Sequence, residues 1–418
     1  MSLRMFLRAL AIVAVASGEL ARTLPASLVA RVTRGRAAAA DRRYRGVVRA
    51  LQRLGPTFVK FGQIAGTRRD ALPPALCARL GTLFDDVPPM SPAAADEALR
   101  RARAEQPRLS LRSVDRTPLA SGSIASVYRA VLDDGTVVAL KLKRTDIDDR
   151  MRADLRLIEG MARLAARAPK MRGMPIADLI GYLSAAILGQ LDFRREAEHS
   201  ERLRAELAAF PEVTVPALHR GRSASNCLVF EYVPDLDARH AERLAPGVRA
   251  RLAEVVLAAV NRLFFGAGFV HCDLHPGNLY LTPDARVVIL DAGYCVQLPD
   301  GVRAAIGEFF ARLAAGDGRR CGEIVLASAV DTGTPVDREG FIRAVADLVA
   351  RTAGPDNDFD MSVFGNGVYD LQQRYGIYAA SDFAFPLMSL LVVEGTVRGI
   401  SPEVDFQRVG GPAPTATR

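Results

Sequence analysis

The segment HCDLHPGN, residues 271–278, decides the predicted fold, and VILDAG follows it at residues 288–293. Together they form the patterns H-x-D-x-x-x-x-N and D-x-G. Asp273 can orient an acceptor hydroxyl, whereas Asn278 and Asp291 offer oxygen ligands that hold Mg²⁺ against phosphates. Short apolar strands flank both motifs, so a hairpin would bring the two oxygens to one metal. The alternative is that these polar residues only cap turns; the two histidines of the first segment are interpreted as structural.

A second motif lies upstream, in VVALK at residues 137–141. It matches the V-A-x-K strand whose lysine contacts phosphates, so Lys141 is a candidate catalytic residue. A hairpin turn at residues 133–135 connects its strand to a preceding apolar stretch. Glu196, on a helix predicted over about 177–208, is the candidate carboxylate that holds Lys141. The predicted nucleotide loop before the hairpin consists of small residues: Ala120, Ser121, Gly122 and Ser123.

The stretch LVFEYV, residues 228–233, is predicted to be a strand that ends in a nucleotide-binding hinge. Backbone groups at Glu231 and Val233 would then receive the edge of an adenine ring. An ordinary buried strand fits the same pattern.

Composition indicates a folded protein of more than one compact part. The chain has 418 residues, of which 49% are hydrophobic and 24% charged. That length favours one large two-lobed domain with an appended segment. The five cysteines are scattered and never spaced C-x-x-C, which argues against a disulfide framework or a zinc site and favours a reducing cytoplasm.

Positive charge is concentrated at the N-terminus. The net charge is +8, and the first 60 residues contain 12 Lys/Arg against Glu19 and Asp41. A basic leader with apolar faces favours peripheral contact with an anionic membrane and no nucleic-acid partner. A solvated helix face is the alternative. The apolar run at residues 9–16 is too short to span a bilayer; it also imitates a secretory signal, a less favoured interpretation because a nucleotide-using domain suits the cytoplasm.

Prolines and glycines that interrupt the helical segments predict the domain organisation. We expect a basic amphipathic leader at 1–45 and a helical extension at 46–112. Two lobes follow: the first, at 113–235, contains strands and a helical insert, and the second, at 236–408, is mainly helical. Residues 409–418, rich in Gly, Pro and Thr, are expected to be disordered.

The stretch LGPTFVKFGQ, residues 54–63, resembles the K-x-G-Q segment of the UbiB/AarF family of atypical kinase-like proteins, and the likeness continues through residues 67–74. The stretch QLDFRREA, residues 190–197, is similar to that family's E-x-D segment. The resemblance extends from about residue 45 to Asp405. It implies that Lys60 and Gln63 lie on an extension over the active site, with Gln190 and Asp192 as the regulatory positions facing that cover.

Three positions depart from the family pattern. Gln190 stands where the family has a glutamate, so Asp192 alone would supply the acidic contact to Lys60. Gly122 stands in a loop that is usually alanine-rich, and Ala292 replaces the phenylalanine common after the metal-binding aspartate.

The resemblance implies an α+β, protein-kinase-like two-lobed fold with a helical N-terminal extension. It further implies ATP and Mg²⁺ as cofactors, and ATPase or phosphotransferase activity that supports isoprenoid-quinone or related lipid metabolism. The expected partners are an anionic membrane or a lipid-biosynthesis complex and an isoprenoid lipid or quinone precursor, at the inner face of the cell membrane. Two alternatives remain: a non-catalytic nucleotide-sensing scaffold and a small-molecule kinase resembling aminoglycoside phosphotransferases.

Overall fold

The structure is a computed structural model that describes residues 3–66, 72–83, 88–168, 175–237, 239–331, 333, 335–353 and 359–404. Residues 67–70 of the family segment and the predicted tail at 409–418 lie outside this set. The chain divides into two compact units. Unit 1 contains residues 1–172, 176–191 and 221–229, and unit 2 contains residues 173–175, 192–220 and 230–418.

Unit 1 begins with a long helix, α1 (Leu3–Leu54), that is interrupted at Gly35. Gly35 has φ 86° and ψ 179°, a backbone conformation that glycine adopts without a steric cost. The two arms, residues 3–34 and 36–54, run antiparallel, because Ser27 bonds to the carbonyl of Ala39 and Glu19 meets Arg49. We call α1 the N-terminal hairpin. The predicted leader is therefore one arm of a folded helical pair and part of the second.

Five more helices complete the helical part of unit 1: α2 (Pro56–Ala65), α3 (Pro74–Leu80), α4 (Pro92–Glu105), α5 (Ile147–Ala165) and α6 (Ile176–Gln190). The first three begin at a proline, whose missing N–H costs nothing in the first turn of a helix. Arg8 of the hairpin bonds both oxygens of the buried Asp154 in α5, at 2.6 and 2.8 Å, and the carbonyl of Leu54 at 2.7 Å. One arginine thus connects the first arm, the end of the second arm and α5.

The sheet of unit 1 contains strands β1 (Leu111–Val114), β2 (Ala120–Ser121), β3 (Ala125–Leu132), β4 (Val137–Lys143) and, later in the chain, β6 (Cys227–Glu231). Its order is β1-β3-β4-β6, with β2 paired to β3. Strands β3 and β4 pair antiparallel with Val127 opposite Lys141, and Gly135 in their turn has φ 89°. The predicted hairpin is confirmed.

Unit 2 begins with α7 (Phe193–Glu206) and β5 (Val213–Thr214). The predicted single helix over 177–208 is wrong in one respect, because the chain breaks between α6 and α7. Asp192 ends the helical path there: its φ of −90° and ψ of 96° are extended, and its carboxylate accepts the N–H groups of Arg194 and Arg195. An N-terminal cap of this kind starts a new helix rather than continuing an old one.

The remainder of unit 2 places short strands among helices. After α8 (His240–Arg243) and α9 (Pro246–Asn261), a π-helical turn at 262–267 leads into β7 (Phe269–His271), β8 (Leu279–Leu281), β9 (Val287–Ile289) and β10 (Cys295–Gln297). Helices α10 (Asp300–Ala314), α11 (Gly318–Ala327), α12 (Arg338–Thr352), α13 (Met361–Tyr375) and α14 (Ser381–Ile400) follow, as predicted for this part of the chain.

Taken singly, one helix of the described residues, α14, is long and apolar enough to span a membrane. It is longer than the apolar stretch at 385–393 that stands out in the sequence. Of the most apolar 18-residue stretch of α14, 67% is buried inside the structure. Thr396 of α14 also donates its hydroxyl to the carbonyl of Leu274 at 3.0 Å, so this helix holds the segment that carries H-x-D.

Candidate functional site

Two small antiparallel pairs in unit 2 position the H-x-D-x-x-x-x-N segment. Strand β7 ends at His271 and pairs with β10, so that His271 lies opposite Cys295. Strand β8 pairs with β9, with Leu279 opposite Ile289. The loop between β7 and β8 therefore has both of its ends fixed by strand pairing, which confirms the predicted hairpin after Asn278.

Bonds within the loop fix Asp273 and Asn278. The side-chain nitrogen of Asn278 donates to the backbone carbonyl of Asp273 at 2.9 Å. This bond assigns the amide nitrogen and leaves the side-chain oxygen of Asn278 as the group suited to a cation. The Oδ1 atom of Asp273 lies 3.7 Å from Nε2 of His275. The carboxylate of Asp273 and the side-chain oxygen of Asn278 thus both lie on one short loop.

Both histidines of the segment contact backbone, as predicted. The N–H of Asp273 donates to Nδ1 of His271 at 3.2 Å, and the N–H of Gly277 donates to Nδ1 of His275 at 3.0 Å. Burial lowers the pKa of His271, so its ring is neutral and can accept. Each ring is therefore held by a backbone N–H group of its own loop.

Asp291 lies beside Asn278, because the N–H of Leu290 donates to the carbonyl of Asn278 at 2.8 Å. Asp291 has φ 54°, an uncommon conformation for a residue other than glycine, and its Oδ1 accepts the N–H of Gly293 at 2.9 Å. The described residues contain no cluster of three or more His, Cys, Asp or Glu suited to a metal. A pair of oxygen ligands nevertheless fits Mg²⁺, which usually takes one or two carboxylates and completes its shell with water and phosphate oxygens.

Glu196 of α7 comes close to the D-A-G turn. A methyl group added at Gly293 would lie 2.9 Å from Oδ1 of Asp291 and 3.3 Å from Oε2 of Glu196. Both carboxylates therefore border the same glycine, and Glu196 is 2% exposed. A methyl group at this position would require one of the two carboxylates to shift.

His199, which the sequence did not single out, connects α7 to this turn. Its Nδ1 lies 3.3 Å from the carbonyl of Ala292, and Nε of Arg195 donates to its Nε2 at 3.4 Å. Burial, followed by the charge of Arg195, lowers the pKa of His199. A neutral ring with its proton on Nδ1 satisfies both contacts. His199 follows Glu196 by one helical turn, a spacing too common in helices to predict the contact with Ala292 from the sequence.

The two cysteines near these carboxylates are not suited to bind a metal ion or to act as nucleophiles. Burial raises the pKa of Cys272 and of Cys295, so neither is a thiolate at neutral pH.

In unit 1, Lys141 lies on β4 and the predicted nucleotide loop turns from β2 into β3. The N–H of Gly122 donates to the carbonyl of Ala125 at 2.8 Å, so this N–H is already used inside the turn. Arg144, another residue that the sequence did not single out, donates to the carbonyl of Gly122 at 3.0 Å and to the hydroxyl of Ser121 at 2.8 Å. It also donates to the carbonyl of Pro88 at 2.7 Å. The loop is shaped by an arginine at the end of β4.

The predicted hinge residues lie at the end of β6. Glu231 has its N–H bonded to the carbonyl of Ala217 at 2.8 Å, and its carboxylate accepts the N–H of Ala217 at 3.1 Å. Val233 follows the end of the strand and is half-buried. The role of both residues in binding adenine stays a prediction.

Comparisons with known proteins agree on one family. A family model described as the ABC1 atypical kinase-like domain matches residues 82–325. "Probable protein kinase UbiB" from Vibrio vulnificus is 30% identical over 373 residues, which cover 87% of this chain and 68% of the relative. The chain belongs to the UbiB/AarF family. "Uncharacterized protein slr0889" from Synechocystis is 28% identical over 320 residues, covering 72% and 78% of the two chains.

The kinase-like fold of this UbiB/AarF protein is supported by a solved structure. The complex of Rv3197 with erythromycin from Mycobacterium tuberculosis aligns with a TM-score of 0.54 at 19% identity. The alignment covers 84% of this chain and 92% of that chain. The predicted α+β kinase-like fold with a helical N-terminal segment is confirmed.

The residues implied by the UbiB/AarF resemblance occupy defined positions. Lys60 and Gln63 lie on α2; Lys60 is buried, and the amide of Gln63 donates to the carbonyl of Leu83. Gln190 is buried at the end of α6, and its amide donates to the carbonyl of Ala186 at 3.5 Å. Asp192 is exposed and caps α7. Their regulatory role stays a prediction.

Proposed function

We propose that this UbiB/AarF protein binds ATP with Mg²⁺ and hydrolyses or transfers the γ-phosphate. The observation that carries the proposal is the bond from the N–H of Leu290 to the carbonyl of Asn278 at the end of the β8–β9 pair, which brings Asn278 beside Asp291. The side chain of Asn278 also bonds to the carbonyl of Asp273. Mg²⁺ bound there would neutralise charge on the phosphates. In this proposal Asp273 orients the acceptor hydroxyl or water.

The other proposed site residues are assigned by their order along the chain. Lys141 is proposed to contact the phosphates, with Glu196 as its carboxylate partner and residues 120–123 as the loop that covers the nucleotide. Glu231 and Val233 are proposed to bind the adenine edge. In this assignment Arg144 shapes the nucleotide loop without contacting substrate.

ATP hydrolysis by the full chain tests the proposal. Asp273→Asn should lower kcat by about a hundredfold or more, because it removes an acceptor-orienting carboxylate, while Mg²⁺-ATP binding persists. Asp284→Asn is a matched control, since Asp284 is exposed in the turn between β8 and β9. Wild-type protein that binds Mg²⁺-ATP without turnover would contradict the enzymatic function and favour a nucleotide-sensing scaffold.

The biological setting is proposed from the relatives. A curated relative carries the name UbiB, which supports a role in isoprenoid-quinone or related lipid metabolism. The proposed partners are an isoprenoid lipid or quinone precursor and an anionic membrane, or a lipid-biosynthesis complex, at the inner face of the cell membrane. Comparing ATPase rates with and without liposomes and quinone-like headgroups tests this setting.

We also propose that Lys60 and Gln63 belong to a cover over the active site and that this cover is weaker than in relatives with a glutamate at position 190. An amide offers Lys60 a weaker bond than a carboxylate does. Gln190→Glu should therefore slow nucleotide release in stopped-flow measurements. Equal rates for wild type and Gln190→Glu, with a large change only in Asp192→Asn, would show that Asp192 alone holds the cover.

A further inference from the structure

The first arm of the N-terminal hairpin exposes a continuous apolar face. Its members recur at helical spacing on one side of the arm, and each is between 43% and 88% exposed: Phe6, Leu10, Val13, Leu20, Leu24, Leu28 and Val32. Spacings of three, four and seven residues place side chains on one face of a helix. With a rise of 1.5 Å per residue, this apolar face is about 40 Å long.

The opposite face of the same arm is buried and largely polar or small. Glu19, Thr23 and Ser27 are at most 7% exposed and contact the second arm. Ala30 and the apolar Ile12, at 2% and 6%, are buried on the same arm. A surface helix of a water-soluble domain normally has the reverse arrangement, with its apolar face toward the core. The first arm therefore presents to its surroundings the side that a solvated helix would bury.

Ion pairs hold this inverted arrangement. Glu19 accepts bonds from Arg49 and Arg53, each at 3.0 Å, while Arg8 binds the buried carboxylate of Asp154. Rolling the arm to bury its leucines would expose these pairs and break them. Because a buried carboxylate that loses its partner is costly, the apolar face stays outward.

The charge around the apolar face selects its partner. The hairpin has many exposed arginines: Arg22, Arg31, Arg34, Arg36, Arg42, Arg43, Arg45, Arg49 and Arg53. Its two carboxylates are engaged, because Glu19 is buried and Asp41 binds Arg45 and Arg79. Two copies meeting through this face would bring like charges together, whereas anionic lipid headgroups would complement them.

We propose that the first arm is a docking face that lies flat on an anionic bilayer, with the seven apolar side chains in the acyl boundary. This inference rests on the proposed membrane setting and assigns it to particular residues. Arg22 and Arg31 within the arm remain at headgroup level, which suits a helix in the interface plane rather than across the bilayer.

Vesicle flotation of the full chain tests the docking face. Wild-type protein should float with vesicles of phosphatidylcholine and phosphatidylglycerol and less with phosphatidylcholine alone. Leu24→Asp/Leu28→Asp should lower vesicle affinity about tenfold or more, because two large apolar groups no longer leave water. Arg31→Ala/Arg34→Ala should lower it about fivefold for each arginine removed.

Matched variants at other exposed positions of unit 1 control for added charge and lost arginine. Met161→Asp/Leu164→Asp alters two residues of α5 that are 44% and 67% exposed, similar to Leu24 and Leu28 at 43% and 62%. Arg103→Ala/Arg108→Ala removes two exposed arginines elsewhere. Both controls should float like the wild type. Circular dichroism checks that every variant is folded.

Three results would overturn the docking face: unchanged flotation of Leu24→Asp/Leu28→Asp, equal loss in the α5 control, or a solution dimer that this double variant converts to monomer. The last result would identify a second copy as the partner. ATPase activity without vesicles is measured in parallel, so that failure of the proposed enzymatic function is recognised separately.

Discussion

The two glycine turns near the proposed nucleotide chemistry differ in how much space surrounds them. In unit 2, a methyl group at Gly293 would meet two carboxylate oxygens at 2.9 and 3.3 Å. In unit 1, a methyl group at Gly122 would meet only the carbonyl of Ala125, at an ordinary 3.6 Å. The glycine of the predicted nucleotide loop thus has room for a methyl group, whereas a methyl group at the glycine of D-A-G would have to displace a carboxylate.

The largest effect is expected at the crowded turn itself. Asp291→Asn should lower Mg²⁺-ATP affinity by about a hundredfold or more, since even outer partners of metal ligands are worth 10–100-fold. Asparagine tolerates the φ of 54° and keeps an oxygen for the N–H of Gly293, so the fold should persist. Isothermal titration measures the affinity. Unchanged affinity in a folded variant would remove Asp291 as a ligand.

Gly293→Ala tests the crowding directly. The new methyl group must displace Asp291 or Glu196, which should destabilise the protein by about 1–3 kcal/mol and weaken Mg²⁺-ATP binding. Chemical denaturation and titration measure the two effects. Gly307→Ala, in α10 with nothing within 4 Å, is the control and should be stabilising by about 0.5–1 kcal/mol. Equal effects of the two substitutions would contradict the proposed crowding.

Arg144→Lys tests what shapes the open turn. Lysine keeps the charge but cannot reproduce the fork that reaches Ser121, Gly122 and Pro88. We expect a loss of about 1.5 kcal/mol in the free energy of unfolding and faster hydrogen exchange in residues 120–125. Exchange that rises equally in the D-A-G turn would show general destabilisation instead.

Acid should distinguish the two turns. The pKa values of His199 and His271 are lowered from 6.5, so the unfolded state binds more protons than the folded state below that pH. Stability contributed by the neutral rings is present above pH 6.5 and declines as the pH falls below it. The nucleotide loop is held by Arg144, which stays charged. The protection factors of the backbone amides, which correct for the slower intrinsic exchange in acid, should therefore fall on acidification around Ala292 and not around Gly122. A uniform fall would refute this difference.

The smallest effect is expected for Gly122→Ala. Because the added methyl group meets no close atom and Gly122 does not have a positive φ, the free energy of unfolding should change by less than about 0.5 kcal/mol. A loss of more than 1 kcal/mol on denaturation would show that the loop needs its glycine after all.

Local signals in the sequence predicted the strands that flank the candidate site residues. The turn at 133–135 and the short apolar stretches around Asn278 and Asp291 depend on neighbouring residues, and both hairpins form as predicted. The roles of His199 and Arg144 depend instead on partners that are distant in the sequence. His199 contacts Ala292, and Arg144 bonds to Pro88. No spacing rule marks such pairs in advance.

Helix boundaries show the same limit. Gly35 stands alone among arginines and alanines that favour helix, so a reversal there has only one weak signal in the sequence. At position 192 an aspartate is compatible both with a continuous helix and with the cap of a new one. The residue type alone therefore does not predict the break. Contacts between the two arms fix the reversal at Gly35, and the local cap fixes the break at Asp192.

The buried position of Glu19 has a consequence for biosynthesis. Its partners Arg49 and Arg53 lie 30 and 34 residues later in the chain, so they emerge from the ribosome after it. Until then Glu19 lacks both of its arginine partners. Closing the hairpin buries Glu19 and leaves the leucines outward. The apolar face is therefore complete before β1 and the later strands are translated, and we expect the order of synthesis to place the proposed surface attachment ahead of folding of the sheet.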